Sequence, residues 1–170
     1  MQLKRVYKPI ALDAAENPLL RRVLALWTGR KGERVFPARE ELSPRDLGPA
    51  LPYLTLCEVL DGGADFRLRI VGEEVLAAYG HHLKGRTLGS LVDEIGSTML
   101  DAYRGVVSSR TPLLLHGWFE HERQQIFLRE VLILPLGSAT VDHVLAAGAL
   151  LPGAGLHAAD SGYAGLAAAD

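Results

Sequence analysis

The spacing of hydrophobic positions changes along the chain, from helical near the N-terminus to alternating farther on. Asn17 and Pro18 are typical of a helix start, because an amide side chain caps the first turn and proline fits the first helical position. The apolar residues that follow at helical spacing are Leu19, Leu20, Val23, Leu24, Leu26 and Trp27. Gly32 ends this predicted helix, and Ser43 begins a second, short one.

From Leu54 onwards, apolar runs separated by polar turns predict five β-strands, and in the second of them Phe66, Leu68 and Ile70 alternate with arginines. The predicted strands cover residues 54–60, 66–71, 113–120, 126–134 and 141–151. Between the second and third strands the pattern predicts a short helix at 73–79 and a longer one at 95–109. Tight turns join the strands as antiparallel hairpins, so we expect an α+β fold in which a helical lid covers one face of the sheet.

Composition narrows the class of protein. The chain has 170 residues, 48% hydrophobic and 22% charged, which suits one globular domain and excludes a disordered chain. A net charge of −2 gives no basic field for nucleic acid, although residues 1–50 are net basic and the rest net acidic. No uncharged stretch is long and unbroken enough to span a bilayer, so we expect a cytoplasmic protein with no membrane partner.

These patterns divide the chain into three parts. Residues 1–33 are predicted to form an N-terminal helical cap or dimerisation segment, and residues 34–151 the folded domain. Residues 152–170 are rich in glycine and alanine and are predicted to be a flexible tail.

Motifs that carry common chemistries are absent from the sequence. It contains no phosphate-binding Walker loop, no dinucleotide-binding glycine turn, no serine nucleophile elbow and no paired-histidine zinc helix. The single cysteine excludes an intramolecular disulfide, and the six histidines share no helical face that would predict a metal site.

Several side chains are candidates for a ligand pocket between the lid and the sheet. Aromatic residues with one charged donor are what a mostly apolar pocket uses to orient a ligand. The candidate ligand-binding residues are Cys57, Tyr79, His82, Tyr103, His116, Trp118 and Arg129. The alternative for each of them is core packing or an exposed surface position.

The order of these elements and several local phrases resemble the PAS domain family, in particular alphaproteobacterial proteins that consist of a single PAS domain. The resemblance covers residues 19–151. It is carried by residues 24–27, 44–54, 66–72, 79–80, 83–88, 111–112 and 132–136.

This resemblance implies a five-stranded antiparallel sheet of order 2-1-5-4-3, with lid helices between strands two and three. It also implies a role in sensing or protein association, usually as a dimer, with haem, flavin or a small acid bound in some members. Photoactive flavin domains carry a cysteine in the lid, whereas Cys57 lies on the first strand. Oxygen-sensing haem domains take a histidine from the long helix, and residues 95–109 contain none. Both cofactors are therefore disfavoured, and the cofactor is left open.

Three functional hypotheses follow. The first is a PAS-type sensor that binds a small, largely apolar ligand or a partner protein without catalysis; residues 152–170 leave no room for an output domain, so it would act through a partner. The second is a purely structural dimerisation module built on Leu19, Leu20, Val23, Leu24 and Trp27. The third is a small cone-shaped α+β enzyme that pairs His116 with Asp101.

Overall fold

Six antiparallel strands form one sheet in the computed structural model of the protein, which describes residues 4–95, 97–121 and 124–149. The strand order across the sheet is β1-β4-β5-β6-β2-β3. The strands are β1 (Lys4–Ile10), β2 (Leu54–Leu60), β3 (Asp65–Val71), β4 (Leu113–His121), β5 (Gln124–Gly137) and β6 (Val141–Ala149).

Helices lie before and within this series of strands. The α-helices are α1 (Pro18–Lys31), α2 (Pro44–Leu47), α3 (Glu73–Tyr79), α4 (Val92–Ile95) and α5 (Ser97–Ser109). Short 3-10 helices cover Leu12–Ala14, Arg39–Glu41, Gly48–Tyr53, His81–Leu83 and Gly89–Leu91. In the part of the chain that the structure describes, none of these helices has the length and apolar character needed to cross a bilayer.

The predicted α+β class, the lid and the five strands are confirmed, and β2 to β6 follow the expected 2-1-5-4-3 order. The strand count of five is wrong, because β1 adds a sixth strand beside β4. Residues 4–10 belong to the segment 1–33 that the sequence predicts to be a helical cap or dimerisation segment, with no strand in it. They pair with β4 instead, and Lys8 and Pro9 suit an edge strand, where a missing backbone donor and an exposed charge are tolerated.

Helix α1 covers one face of the sheet, which we call the outer face. Its start is capped as the sequence predicts, since Oδ1 of Asn17 accepts a hydrogen bond from the amide of Leu19 at 2.8 Å. Leu20, Val23 and Trp27 are buried in the core of the same chain. Nε1 of Trp27 donates a 2.9 Å hydrogen bond to the carbonyl oxygen of Pro135 in β5, which ties the C-terminal half of α1 to the sheet.

This packing bears on the predicted dimerisation residues. Leu20, Val23 and Trp27 already fill the core of their own chain, whereas Leu19 and Leu24 are only partly buried. Dimerisation through α1 stays a prediction, and only the partly buried pair offers apolar surface to a second copy while α1 is packed.

The lid, residues 72–109, covers the opposite face, which we call the inner face. Tyr103 on α5 is buried against it and meets Phe66 of β3 edge to face, with ring centroids 5.3 Å apart. Residues 85–88 run along the free edge of β3. The amide of Leu68 donates to Arg86, and the amides of Gly85 and Leu88 donate to Leu68 and Phe66, each at 2.9 Å. The lid is thus attached to β3 by backbone hydrogen bonds.

Candidate functional site

A partly open cavity of about 70 Å³ lies between the lid and the inner face. Its wall is mostly apolar, with three tyrosines, one threonine and one arginine. The residues that line it are Tyr7, Tyr53, Thr55, Leu68, Val75, Leu83, Leu88, Leu91, Met99, Tyr103, Arg129, Val131, Ala146 and Gly148.

The register of the sheet explains which strand residues reach the cavity. Successive residues of a strand point to opposite faces, and directly paired residues share a face. Val131 pairs with Gly148, and Ala146 pairs with Thr55, so these four residues share the inner face. The lid supplies the facing side chains from α3, α5 and the two 3-10 helices between them.

Arg129 is the charged residue of the described cavity wall, and its position depends on a glycine in the neighbouring strand. A Cβ atom on Gly148 would overlap Nη2 of Arg129 and would lie 3.1 Å from its Cζ. The guanidinium therefore lies directly over the backbone of β6 at Gly148. A glycine inside a strand often marks such a close approach, and here it makes room for a cation beside an apolar cavity.

Tyr7 reaches the cavity in the same way. It pairs with Gly117 of β4, and a Cβ atom on Gly117 would lie 2.7 Å from Cε1 of the Tyr7 ring. Both glycines thus allow a large side chain to lie across the sheet. Tyrosine and arginine side chains thus bring hydrogen-bonding groups to the wall of an apolar cavity, where such groups can orient a ligand.

Two of the predicted ligand-binding residues, Tyr103 and Arg129, line the cavity. Cys57 shares the inner face with Thr55, but it is fully buried and does not line the cavity. Burial, with a smaller contribution from Asp65, raises the pKa of the Cys57 thiol to about 12, so the thiol stays neutral and is a poor nucleophile. His82 is exposed and does not line the cavity, and the side chain of Tyr79 lies outside the described part.

His116 and Trp118 lie on the outer face, away from the cavity. Gly117, between them, points to the inner face and pairs with Arg129. The register then shifts, so that Trp118 pairs with Phe127. The two candidates on β4 are therefore separated by the sheet from the candidates on β5 and α5.

His116 belongs instead to a buried polar cluster around Glu130, which is fully buried. Nε2 of His116 lies 2.9 Å from Oε2 of Glu130. The amide of Glu16 donates to the same oxygen at 2.9 Å, and the amide of Asn17 donates to Oε1 at 3.0 Å. Glu130 thus fixes the two residues that precede α1, where the helix dipole also favours an acidic group.

The predicted pairing of His116 with Asp101 does not form. Asp101 is exposed on α5, within 3.6 Å of Arg104, while His116 lies on the other side of the sheet. Among the described residues, no group of three or more histidines, cysteines and acids could hold a metal ion. The described cavity wall contains neither a histidine nor a cysteine, the side chains through which haem iron or a photoactive flavin would be attached.

The sequence reasoning missed most of the cavity wall, including Tyr7, Tyr53 and Gly148. Glycines in the middle of strands were a usable signal, because Gly117 and Gly148 interrupt runs of residues that otherwise suit strands. Tyr7 was missed because β1 itself was not predicted.

Asp65 links β3 to the lid. Its Oδ1 accepts a 2.8 Å hydrogen bond from the amide of Gly89 and another from its neighbour Phe66. Partial burial is the largest single influence and raises the pKa of Asp65. The two backbone hydrogen bonds, the hydroxyl of Thr87 and the charge of Arg104 together outweigh burial, so the pKa of Asp65 lies below its ordinary value.

This shift predicts how the lid responds to pH. The folded pKa of Asp65 is depressed, so its stabilising effect is complete above the unfolded pKa and is lost as the pH falls through the folded pKa. Asp65→Asn should lower the free energy of unfolding by about 1 kcal/mol at pH 7 and flatten the acid limb of the stability curve. Urea unfolding between pH 3 and pH 7 measures both effects, and an unchanged acid limb in the variant would contradict this role.

A family model described as a PAS domain matches residues 15–151. No curated protein and no solved structure matches the chain significantly.

Proposed function

The chain belongs to the PAS domain family, whose members are sensory, signalling or interaction modules, and we propose that it is a sensor that binds a small ligand between the lid and the sheet. The observation that carries the proposal is the cavity, in which the Arg129 guanidinium and three tyrosines stand among apolar side chains. PAS domains are in general not catalytic, and we propose that this protein binds its ligand without transforming it.

The chemistry of the wall indicates what such a ligand carries. Leucine, valine and methionine side chains favour an apolar body, since burying apolar surface is the main favourable contribution to binding. Arg129 presents N–H donors in a fixed plane, and a guanidinium has five of them, so it can serve more than one acceptor. We expect a ligand with an apolar body and a hydrogen-bond acceptor at the end that faces Arg129.

The size of the cavity indicates a small ligand or a lid that moves outward. A cavity of about 150 Å³ is known to hold benzene, and the volume here is about 70 Å³. The wall on the lid side includes Val75, Leu83 and Leu91 on short helices and Met99 in the first turn of α5. A displacement of these elements would enlarge the cavity without disturbing the sheet.

Binding is tested with isobutyrate and isobutyramide as probes, because each combines a branched apolar body with an acceptor. Saturation-transfer NMR should detect both, and Arg129→Leu should weaken their binding by about tenfold or more, the usual effect of losing a hydrogen bond to a charged group. Arg45→Leu removes an exposed arginine of α2 that does not line the cavity, and it should leave both affinities within about twofold of wild type.

Native mass spectrometry of the gently purified protein adds a measurement without an assumed ligand. A retained mass that disappears in Arg129→Leu, but not in Arg45→Leu, supports the proposal. The proposal is overturned if no mass is retained and the probes bind Arg129→Leu as tightly as wild type. The protein would then be an interaction module without a ligand. Oligomeric state by sedimentation is a separate question, because the proposed homodimer does not depend on the cavity.

A further inference from the structure

Strand β5 places two polar residues with different tasks at consecutive positions. Arg129 points to the inner face and lines the cavity, whereas Glu130 points to the outer face and holds the start of α1. Consecutive residues share one planar peptide unit, so the backbone of one cannot be displaced without moving the other.

The connection of Glu130 to α1 is built from backbone donors. Both carboxyl oxygens accept from the amide of Glu16, at 3.2 and 2.9 Å, and Oε1 also accepts from the amide of Asn17. A fully buried carboxyl group that lost these donors would keep its contact with His116 through Oε2, but its Oε1 would lose both amide donors away from water, which is costly. The start of α1 should therefore have two distinct states, one with these bonds formed and one with them broken.

The position of Arg129 is equally constrained on the other face. Its guanidinium lies over Gly148, and Glu130 pairs with the next residue of β6, Ala149. Any molecule that pushes or pulls the guanidinium acts on the same short stretch of β5 and β6 that carries Glu130.

We propose that Glu130 couples the cavity to α1. A change in the position of Arg129 weakens or strengthens the hydrogen bonds that the Glu130 carboxyl group accepts from the amides of Glu16 and Asn17. The physiological input, a bound ligand, rests on the proposed function. The mechanical coupling does not, and it is tested without a ligand.

The first test perturbs the cavity side alone. Gly148→Ala places a methyl group where Nη2 of Arg129 lies, on the face opposite α1. Amide hydrogen exchange measured by NMR should become about tenfold faster at Glu16 and Asn17, within the usual range of coupling between two sites. The matched control is Ala146→Ser, which adds one atom to the same face of the same strand two residues away and should leave these two amides within about twofold of wild type.

The second test perturbs the α1 side. Glu130→Gln keeps the size of the side chain but weakens its charge-assisted hydrogen bonds, and coupling between sites is reciprocal. The Nε–H resonance of Arg129 should shift. Trp27→Phe removes the hydrogen bond to Pro135 at the other end of α1 and should leave that resonance in place.

The outcomes separate this coupling from its alternatives. Unchanged exchange at Glu16 and Asn17 in Gly148→Ala overturns the proposal, and so does an equal acceleration of core amides such as that of Leu132, which indicates global destabilisation. Equal shifts of the Arg129 resonance in Glu130→Gln and Trp27→Phe also overturn it. If the coupling is observed and no probe binds, only the proposed ligand-binding function fails.

Discussion

Glu130→Ala is expected to lower the free energy of unfolding by about 3 kcal/mol or more. The substitution leaves the amides of Glu16 and Asn17 and the ring of His116 without their buried acceptor. These contacts are partly buried, and a donor that loses its partner away from water costs about 1–3 kcal/mol. The missing volume of the fully buried Glu130 side chain adds to the loss. Urea unfolding followed by tryptophan fluorescence measures the change, because both tryptophans, Trp27 and Trp118, are buried in the folded protein.

The chain offers a matched control for this result. Asp142 and His143 of β6 form a second carboxyl–imidazole contact, Oδ1 to Nδ1 at 2.8 Å, but the Asp142 side chain is 54% exposed. Asp142→Ala should change the free energy of unfolding by no more than about 0.5 kcal/mol, since water replaces the lost contact. Equal losses in the two alanine variants would show that burial of the Glu130 cluster adds nothing.

Gly72→Ala should destabilise the protein by about 3 kcal/mol or prevent it from folding. A Cβ atom on Gly72 would overlap the carbonyl oxygen of Pro52 and lie 2.5 Å from that of Leu51. The obstacle is backbone, which cannot rotate away as a side chain can. Gly72 has ordinary extended dihedral angles, φ −65° and ψ 156°, so the loss would come from the close approach and not from conformational preference.

Gly105→Ala is the corresponding control and should have the opposite sign. Gly105 lies inside α5, and apart from the neighbouring residues and backbone of its own helix no atom lies within 4 Å of the place where its Cβ would be. Alanine in an open helical position is favoured over glycine by about 0.5–1 kcal/mol. Thermal unfolding by circular dichroism should show a lower midpoint for Gly72→Ala and a higher one for Gly105→Ala. Two changes of the same sign would contradict the reasoning.

Apolar residues predicted the regular elements well, because α1 buries one stripe and the strands bury one or both of their faces. Helix α1 begins at Pro18 behind its Asn17 cap, and all five predicted strands are formed. The segment Lys4–Ile10 carried too little apolar periodicity, because an edge strand with proline and lysine needs little of it.

Prediction of the site was limited because the sequence does not show in which register neighbouring strands pair. Helical spacing placed Tyr103 towards the sheet correctly, because a helix that covers a sheet must bury one stripe. The faces of His116 and Trp118 relative to Arg129 depend on how β4 pairs with β5, and a one-residue shift exchanges the faces. The Glu130 cluster joins residues more than a hundred positions apart and leaves no local pattern.

The edges of the sheet have a consequence for how a ligand could enter. Lys8 and Pro9 make the β1 edge a poor template for pairing with another chain, and residues 85–88 occupy the β3 edge. An opening that pulled residues 85–88 away would expose unpaired β3 backbone groups, the kind of surface from which aggregates grow. An opening through α4 and α5 would leave that edge covered, so solubility favours an opening there over one at the β3 edge.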